Sequence, residues 1–117
     1  MQRALLQSGL LVSSMLCVPN ALSSPQEEID HLIAFIGATS CQYERNGALH
    51  SGLEAVEHIK NKAEYHAEKI ESAEDFIAYA ATKSMFSGRH YKIHCQGDAP
   101  IESHLWLKAE LDSFRVN

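Results

Sequence analysis

Between Ser24 and Phe114 the apolar residues recur at helical spacing four times and alternate three times, and turn or capping residues stand at the breaks. Ile29, Leu32, Ile33 and Ile36 form the first helical face. Ser24-Pro25-Gln26-Glu27 opens it as a capping box with Pro at the first helical position, and Gly37 closes it. His31, between apolar positions, reads as an exposed or hydrogen-bonded helix side chain. Cys41 to Arg45 then alternates as a half-buried strand with Cys41, Tyr43 and Arg45 on one side. Asn46-Gly47 is a two-residue hairpin signal, because both positions tolerate positive φ, and Ala48-Leu49-His50 is the short return strand.

A second capping box, Ser51-Gly52-Leu53-Glu54, opens a helix with a sparse stripe of Leu53, Val56 and Ile59 that continues towards Ala63, Ala67 and Ile70. Its outer face carries Glu54, Glu57, Lys60, Lys62, Glu64 and Glu68. Ser72 caps a third helix packed through Phe76, Ile77, Tyr79 and Ala80, with Lys83 in its last turn. The short gap before it predicts that the second and third helices form an antiparallel pair. Ser84 to Gly88 is a loop, and His90 to Cys95 is a strand with Tyr91, Ile93 and Cys95 on one face and His90, Lys92 and His94 on the other. Gln96 to Pro100 is a turn. The last helix runs from Glu102 or Ser103 to Phe114, with Leu105, Trp106, Lys108 and Leu111 to Phe114 on its apolar side and Trp106 as its largest anchor. The pattern predicts an α+β fold: about four helices packed on a small antiparallel sheet.

The N-terminus reads differently. Arg3 supplies a positive start, Ala4 to Val18 is mostly apolar, Pro19-Asn20 breaks it, and Ala21-Leu22-Ser23 suits a signal peptidase. Residues 1–23 are therefore expected to be a signal peptide, cut after Ser23, and residues 24–117 a single small domain in the periplasm. The apolar run is too short for a membrane span. Its removal takes away Arg3 and Cys17, leaving nine basic residues against fifteen acidic ones and two cysteines, Cys41 and Cys95. Two cysteines in an exported chain point to a disulfide. Pairing of the two strands that carry them would bring the sulfurs together. Closing a loop of about 55 residues contributes about 4 kcal/mol in the chain-entropy model.

Laid in order, these segments resemble a bacterial exported family of unknown function, DUF5329, of which the YfeK-like proteins are members. The resemblance rests on Glu28 to Ile36, Cys41 with Arg45-Asn46-Gly47, Ala73 to Ile77, Lys83-Ser84, Ser87-Gly88, Tyr91, and the Trp106-Leu107 to Glu110-Leu111 helix. It implies a small exported α+β domain and carries no activity, cofactor or catalytic residue with it.

The residues themselves contain no nucleophile elbow, no phosphate-cradling glycine loop and no paired-histidine zinc motif. The acidic balance argues against nucleic acid as a partner. Glu54 and His58 stand one turn apart, half of a metal site at most, and His90 and His94 lie roughly 13 Å apart along a strand. No metal or cofactor is therefore assigned. Arg45, Lys83, Arg89 and Lys92 gather four of the nine basic residues of the processed chain around the Ser84 to Cys95 stretch. Arg45, Lys83, Ser84, Ser87 and Arg89 are the candidate ligand-binding residues, suited to a carboxylate or phosphate. The expected function is a monomeric, non-enzymatic binding or interaction module whose partner is an envelope protein or a small anionic ligand. The alternative is a small hydrolase or metal-dependent enzyme built on Ser84 to His94.

Overall fold

The computed structural model describes residues 22–117. The leader expected over residues 1–23, with Cys17, lies outside the described residues apart from Leu22 and Ser23. Four α-helices and four strands follow in the order α1 (Pro25–Ala38), β1 (Gln42–Arg45), β2 (Ala48–His50), α2 (Gly52–Tyr65), α3 (Ala73–Ala80), β3 (Lys92–His94), β4 (Ile101–Glu102) and α4 (Ser103–Val116). A short 3-10 turn, Ala67–Lys69, joins α2 to α3. The sheet order is β2-β1-β3-β4, antiparallel throughout.

The helix starts form as their sequences dictate. Ser24 and Ser51 each accept a hydrogen bond from the backbone three residues on, and Glu27 and Glu54 return the bond to complete both capping boxes. Ser72 caps α3 through the Asp75 amide. Asn46 and Gly47 take φ of 52° and 83°, the paired positive values that a tight hairpin needs. Gly52 permits the closest helix approach. A Cβ there would stand 2.2 Å from the Ile36 carbonyl oxygen, so α1 and α2 meet where no side chain fits.

The core joins the helices to one sheet face. Leu32, Ile36, Ile59, Phe76, Leu107 and Leu111 pack with Tyr43 and Ile93 of the strands and with Tyr91 just before β3. Tyr43 and Ile93 are register partners, as are Gln42 and His94. One step further along the same ladder, Cys41 and Cys95 face each other with Cα atoms 4.4 Å apart and are bonded. That distance is the one expected of a directly opposed, non-hydrogen-bonded pair. The outer face is polar, and His94 Nε2 lies 2.6 Å from Glu44 Oε1 across it.

Several sequence expectations are corrected. Leu53, placed on the buried stripe of α2, is exposed, and Lys62, placed on its outer face, is buried. The inward positions are Ala55, Ile59 and Lys62, at intervals of four and three residues. The helix ends at Tyr65 rather than running on to Ile70. Tyr79 is largely outside the core. Lys83 lies beyond α3 and bridges His90 instead of occupying the last helical turn. On α4, Leu107 and Leu111 are fully buried while Leu105 is exposed. Trp106 covers the flank, with its ring 4.5 Å from Phe35. β4 takes Ile101, between the expected turn and the expected helix, together with Glu102 from the expected helix start, because two residues are too few to alternate visibly. His31 is hydrogen-bonded, 2.7 Å from Glu110, and stacks on Phe114.

One ion network ties the two ends of the domain together. Arg115 donates from Nε and Nη2 to the buried Glu28 at 2.8 and 2.9 Å, and from Nη1 to Glu74 at 2.7 Å. Hydrogen bonds from Arg115, then from Ser23, hold the Glu28 carboxyl down at about 2 against the opposing effect of burial. A carboxylate held below its unfolded value of 4.5 lends stability above that value and loses it as the pH falls towards about 2. Arg115→Gln should therefore unfold at lower urea concentration than the parent at pH 6. The gap should close as the pH is lowered from about 4.5 towards about 2; a gap independent of pH would show that the pair contributes through packing alone.

Candidate functional site

The β1–β2 hairpin and the first turns of α2 enclose a pocket lined by Tyr43, Arg45, His50, Glu54, His58 and Tyr91, with Ala55 and Ile59 as its floor. Its cavity volume is about 20 Å³, room for about one water. Strand alternation places Tyr43 and Arg45 on one side of β1. Helical spacing places Glu54 and His58 one turn apart on α2. Tyr91 is held by its backbone, which donates to the Thr82 carbonyl and accepts from the Ser103 amide, both at 2.9 Å. Behind it, the Tyr43 hydroxyl meets the fully buried Ser103 hydroxyl.

A buried lysine backs the pocket. Lys62 Nζ donates to the Lys83 carbonyl at 2.5 Å and to the Tyr91 hydroxyl at 3.0 Å, and lies 4.9 Å from the centre of the Tyr91 ring. The Tyr91 oxygen is also 3.2 Å from His58 Nε2. An ammonium only donates, so the tyrosine oxygen accepts from Lys62, and the His58 tautomer sets which partner donates between Tyr91 and His58 Nε2.

Burial, followed by the positive charges of Arg45, Lys62 and His50, pushes the His58 imidazole below its usual value. Burial and then Arg45 push Lys62 down. Burial raises the Tyr91 phenol, with Arg45 opposing. Burial also raises Tyr43, against its hydrogen bond to Ser103. Arg45 acts on three of these groups, and among the described residues it forms no salt bridge. The acid at the pocket is Glu54, 3.8 Å from His50 and largely exposed. The pocket is thus a small hydrogen-bonding recess with more positive than negative charge around it.

The candidate residues of the sequence divide. Arg45 lines the pocket. Arg89 lies over the hairpin turn, with Nη1 3.7 Å from the place a Gly47 Cβ would occupy. Lys83 contributes its carbonyl to Lys62. The buried Ser84 hydroxyl accepts from Asn46 Nδ2 and from the Phe86 and Ser87 amides. The Ser87 hydroxyl donates to Asn46 Oδ1. Both serines therefore lock the 84–89 loop onto the hairpin. Among the described residues neither meets a histidine, since His90 pairs with Glu102 and His94 with Glu44. Glu54 and His58 share the pocket, but the nearer partner of Glu54 is His50. Lys62 and Tyr91 were not among the sequence candidates, and His58 entered only with Glu54 as half of a metal site. The spacing of Ala55, Ile59 and Lys62 was the one signal that places Lys62 inward.

Replacing Lys62 by Met should leave the Lys83 carbonyl and the Tyr91 hydroxyl short of a donor, costing about 2 kcal/mol in urea unfolding. It also removes a cation beside His58, so His58 should titrate at higher pH in an NMR titration of its ring protons. An unchanged His58 titration would contradict the Lys62–Tyr91–His58 chain.

No functionally curated protein and no solved structure matches the chain. Residues 23–115, the helices, the sheet and the pocket together, match a family described as one of unknown function. The chain belongs to that family, DUF5329.

Proposed function

We propose that the chain is an exported, non-enzymatic binding module of the cell envelope, which receives one small anionic group, a carboxylate or a phosphate, in the pocket between Arg45, His58 and Tyr91. The observation that carries this reading is a pair of cations in an otherwise acidic chain, Arg45 lining the recess and Lys62 behind it. Arg45 has no carboxylate partner among the described residues, and Lys62 stands behind the recess bonded to a carbonyl and a phenol. An anion would supply the missing charge and accept from the guanidinium and from the His58 ring. The enclosed space admits about one water-sized atom, a single oxygen of that group, so the rest of the group and of the ligand stays outside the recess.

Export is supported by the leader pattern of residues 1–23 and by the Cys41–Cys95 bond, which suits an oxidising compartment. Cleavage after Ser23 leaves Ser24 as the first residue. Its nitrogen already donates to Glu27 at 2.8 Å, so the new ammonium keeps the helix cap and meets a carboxylate. The Ser84 and Ser87 hydroxyls serve the loop, which supports binding over hydrolysis at that stretch.

Two measurements test the two halves. Intact mass of the full-length gene product recovered from a bacterial periplasm should equal residues 24–117 less two hydrogens; an uncleaved or reduced chain would contradict export as read here. Titration of that mature protein with acetate and with inorganic phosphate, followed by NMR, should move His58 and Tyr91 ring signals together. Arg45→Gln should weaken the effect roughly tenfold. Burial, and then the neighbouring cations, hold His58 below its usual value, and an anion pulls it back up, so binding of acetate, while it stays ionised, should tighten as the pH falls. Shifts that ignore Arg45→Gln, or binding of ionised acetate that weakens on acidification, would refute the pocket as the receiving site.

A further inference from the structure

We propose that His90, Glu102 and His104 form a second site, independent of the anion pocket, for one divalent transition-metal ion of the zinc class. The three residues come from different local settings that converge at the β4–α4 corner. His90 is fixed by its bridge to Lys83. Glu102 closes β4 opposite Lys92 and stands at the N-cap of α4, and His104 lies in the first turn of that helix. Both imidazoles meet the same carboxylate oxygen: His90 Nδ1 and His104 Nε2 are each 2.8 Å from Glu102 Oε1. One ligand atom from each residue lies within 4.8 Å of the other two. Among the described residues this is the one such group of three.

The arrangement has the requirements of a cation site. Two imidazole nitrogens and one carboxylate oxygen suit zinc, nickel or copper, and are a poor set for magnesium or calcium, which prefer oxygen throughout. A tetrahedral zinc with ligands near 2.0–2.1 Å spaces neighbouring ligand atoms by about 3.3 Å. The two nitrogen–oxygen separations would open slightly and the nitrogen–nitrogen one would close. The side chains retain room for this, with 43%, 41% and 35% of His90, Glu102 and His104 exposed. Exposure also leaves the fourth position to water. In the metal-free protein each imidazole donates a proton to Glu102. Zinc binds a neutral imidazole at a nitrogen without a proton, so the N–H bond that now faces Glu102 breaks in each ring: a neutral ring passes that proton through solvent to its other nitrogen, a protonated ring gives it up to solvent, and the metal–nitrogen bond takes its place. Lys83 and Lys92 are the ladder partners of His90 and Glu102, and their charges oppose a cation. The expected affinity is therefore micromolar rather than nanomolar.

The test uses the mature, untagged, oxidised chain and zinc chloride in isothermal titration calorimetry. One zinc per chain is expected, with no comparable heat from magnesium chloride. Glu102→Gln and His104→Gln should each weaken binding about tenfold or more. His66→Gln, which changes a histidine bonded to Met85, should not. A readout free of mutation accompanies it: cobalt(II) added to the parent chain should selectively broaden and shift the His90 and His104 ring signals. Absence of zinc binding at high micromolar concentration would overturn the proposal. So would zinc binding that survives both site substitutions, magnesium binding of equal strength, or cobalt effects centred on His50 and His58.

Discussion

The pairing of β1 with β3, closed by Cys41–Cys95, is the constraint on which the rest depends. It joins two segments separated by 54 residues and lies at the centre of a sheet of very short strands. β2 and β4 each add only a few bonds to its edges, and a sheet so small has little stability of its own. The ladder turns Tyr43, Tyr91 and Ile93 inward together, and these give the helices a surface to cover. The chain-entropy contribution of about 4 kcal/mol is a large share of the net stability of a domain this size.

Both polar sites follow from that pairing. Tyr91 is set just before β3, where its hydroxyl reaches Lys62 and His58 on α2. Arg45 is set at the end of β1, beside the same recess. On the other edge, β4 pairs with β3 and delivers Glu102 to His90, while α4 starting at Ser103 brings His104 to the same oxygen. The helical side supplies the floor and the buried cation. Its own closure depends on Arg115 gripping Glu28, across 87 residues of sequence. Among the described residues the two buried charges, Glu28 and Lys62, thus have named partners, as burial demands.

What the sequence made legible was local. The serine caps, the Asn46-Gly47 turn, the inward set of α1 and the two faces of the His90 to Cys95 strand all depend on residues a few positions apart. The cysteine pairing was legible because strand alternation placed both sulfurs on matching faces. What escaped was set by distant partners. Lys62 reads as surface until Lys83 and Tyr91, 21 and 29 residues on, arrive to accept its protons. Glu28 reads as a helix-start acid until Arg115 reaches it. β4 has two residues and no pattern to display. Of the candidate ligand residues, Arg45 stands at the pocket. The serines were chosen for their chemistry, and the structure spends that chemistry on the loop. His104 had no signal of its own, since its role exists only where a strand and a helix join.

The most direct test of this account is urea unfolding of residues 24–117 with Cys41–Cys95 oxidised and then reduced, at neutral pH. The account predicts that reduction lowers the unfolding free energy by about 4 kcal/mol. It also predicts that reduction disperses the Tyr91 and His58 signals, because the ladder that sets them loosens. A change below about 1 kcal/mol, with those signals undisturbed, would contradict the claim that the stapled strand pair organises the fold and its sites.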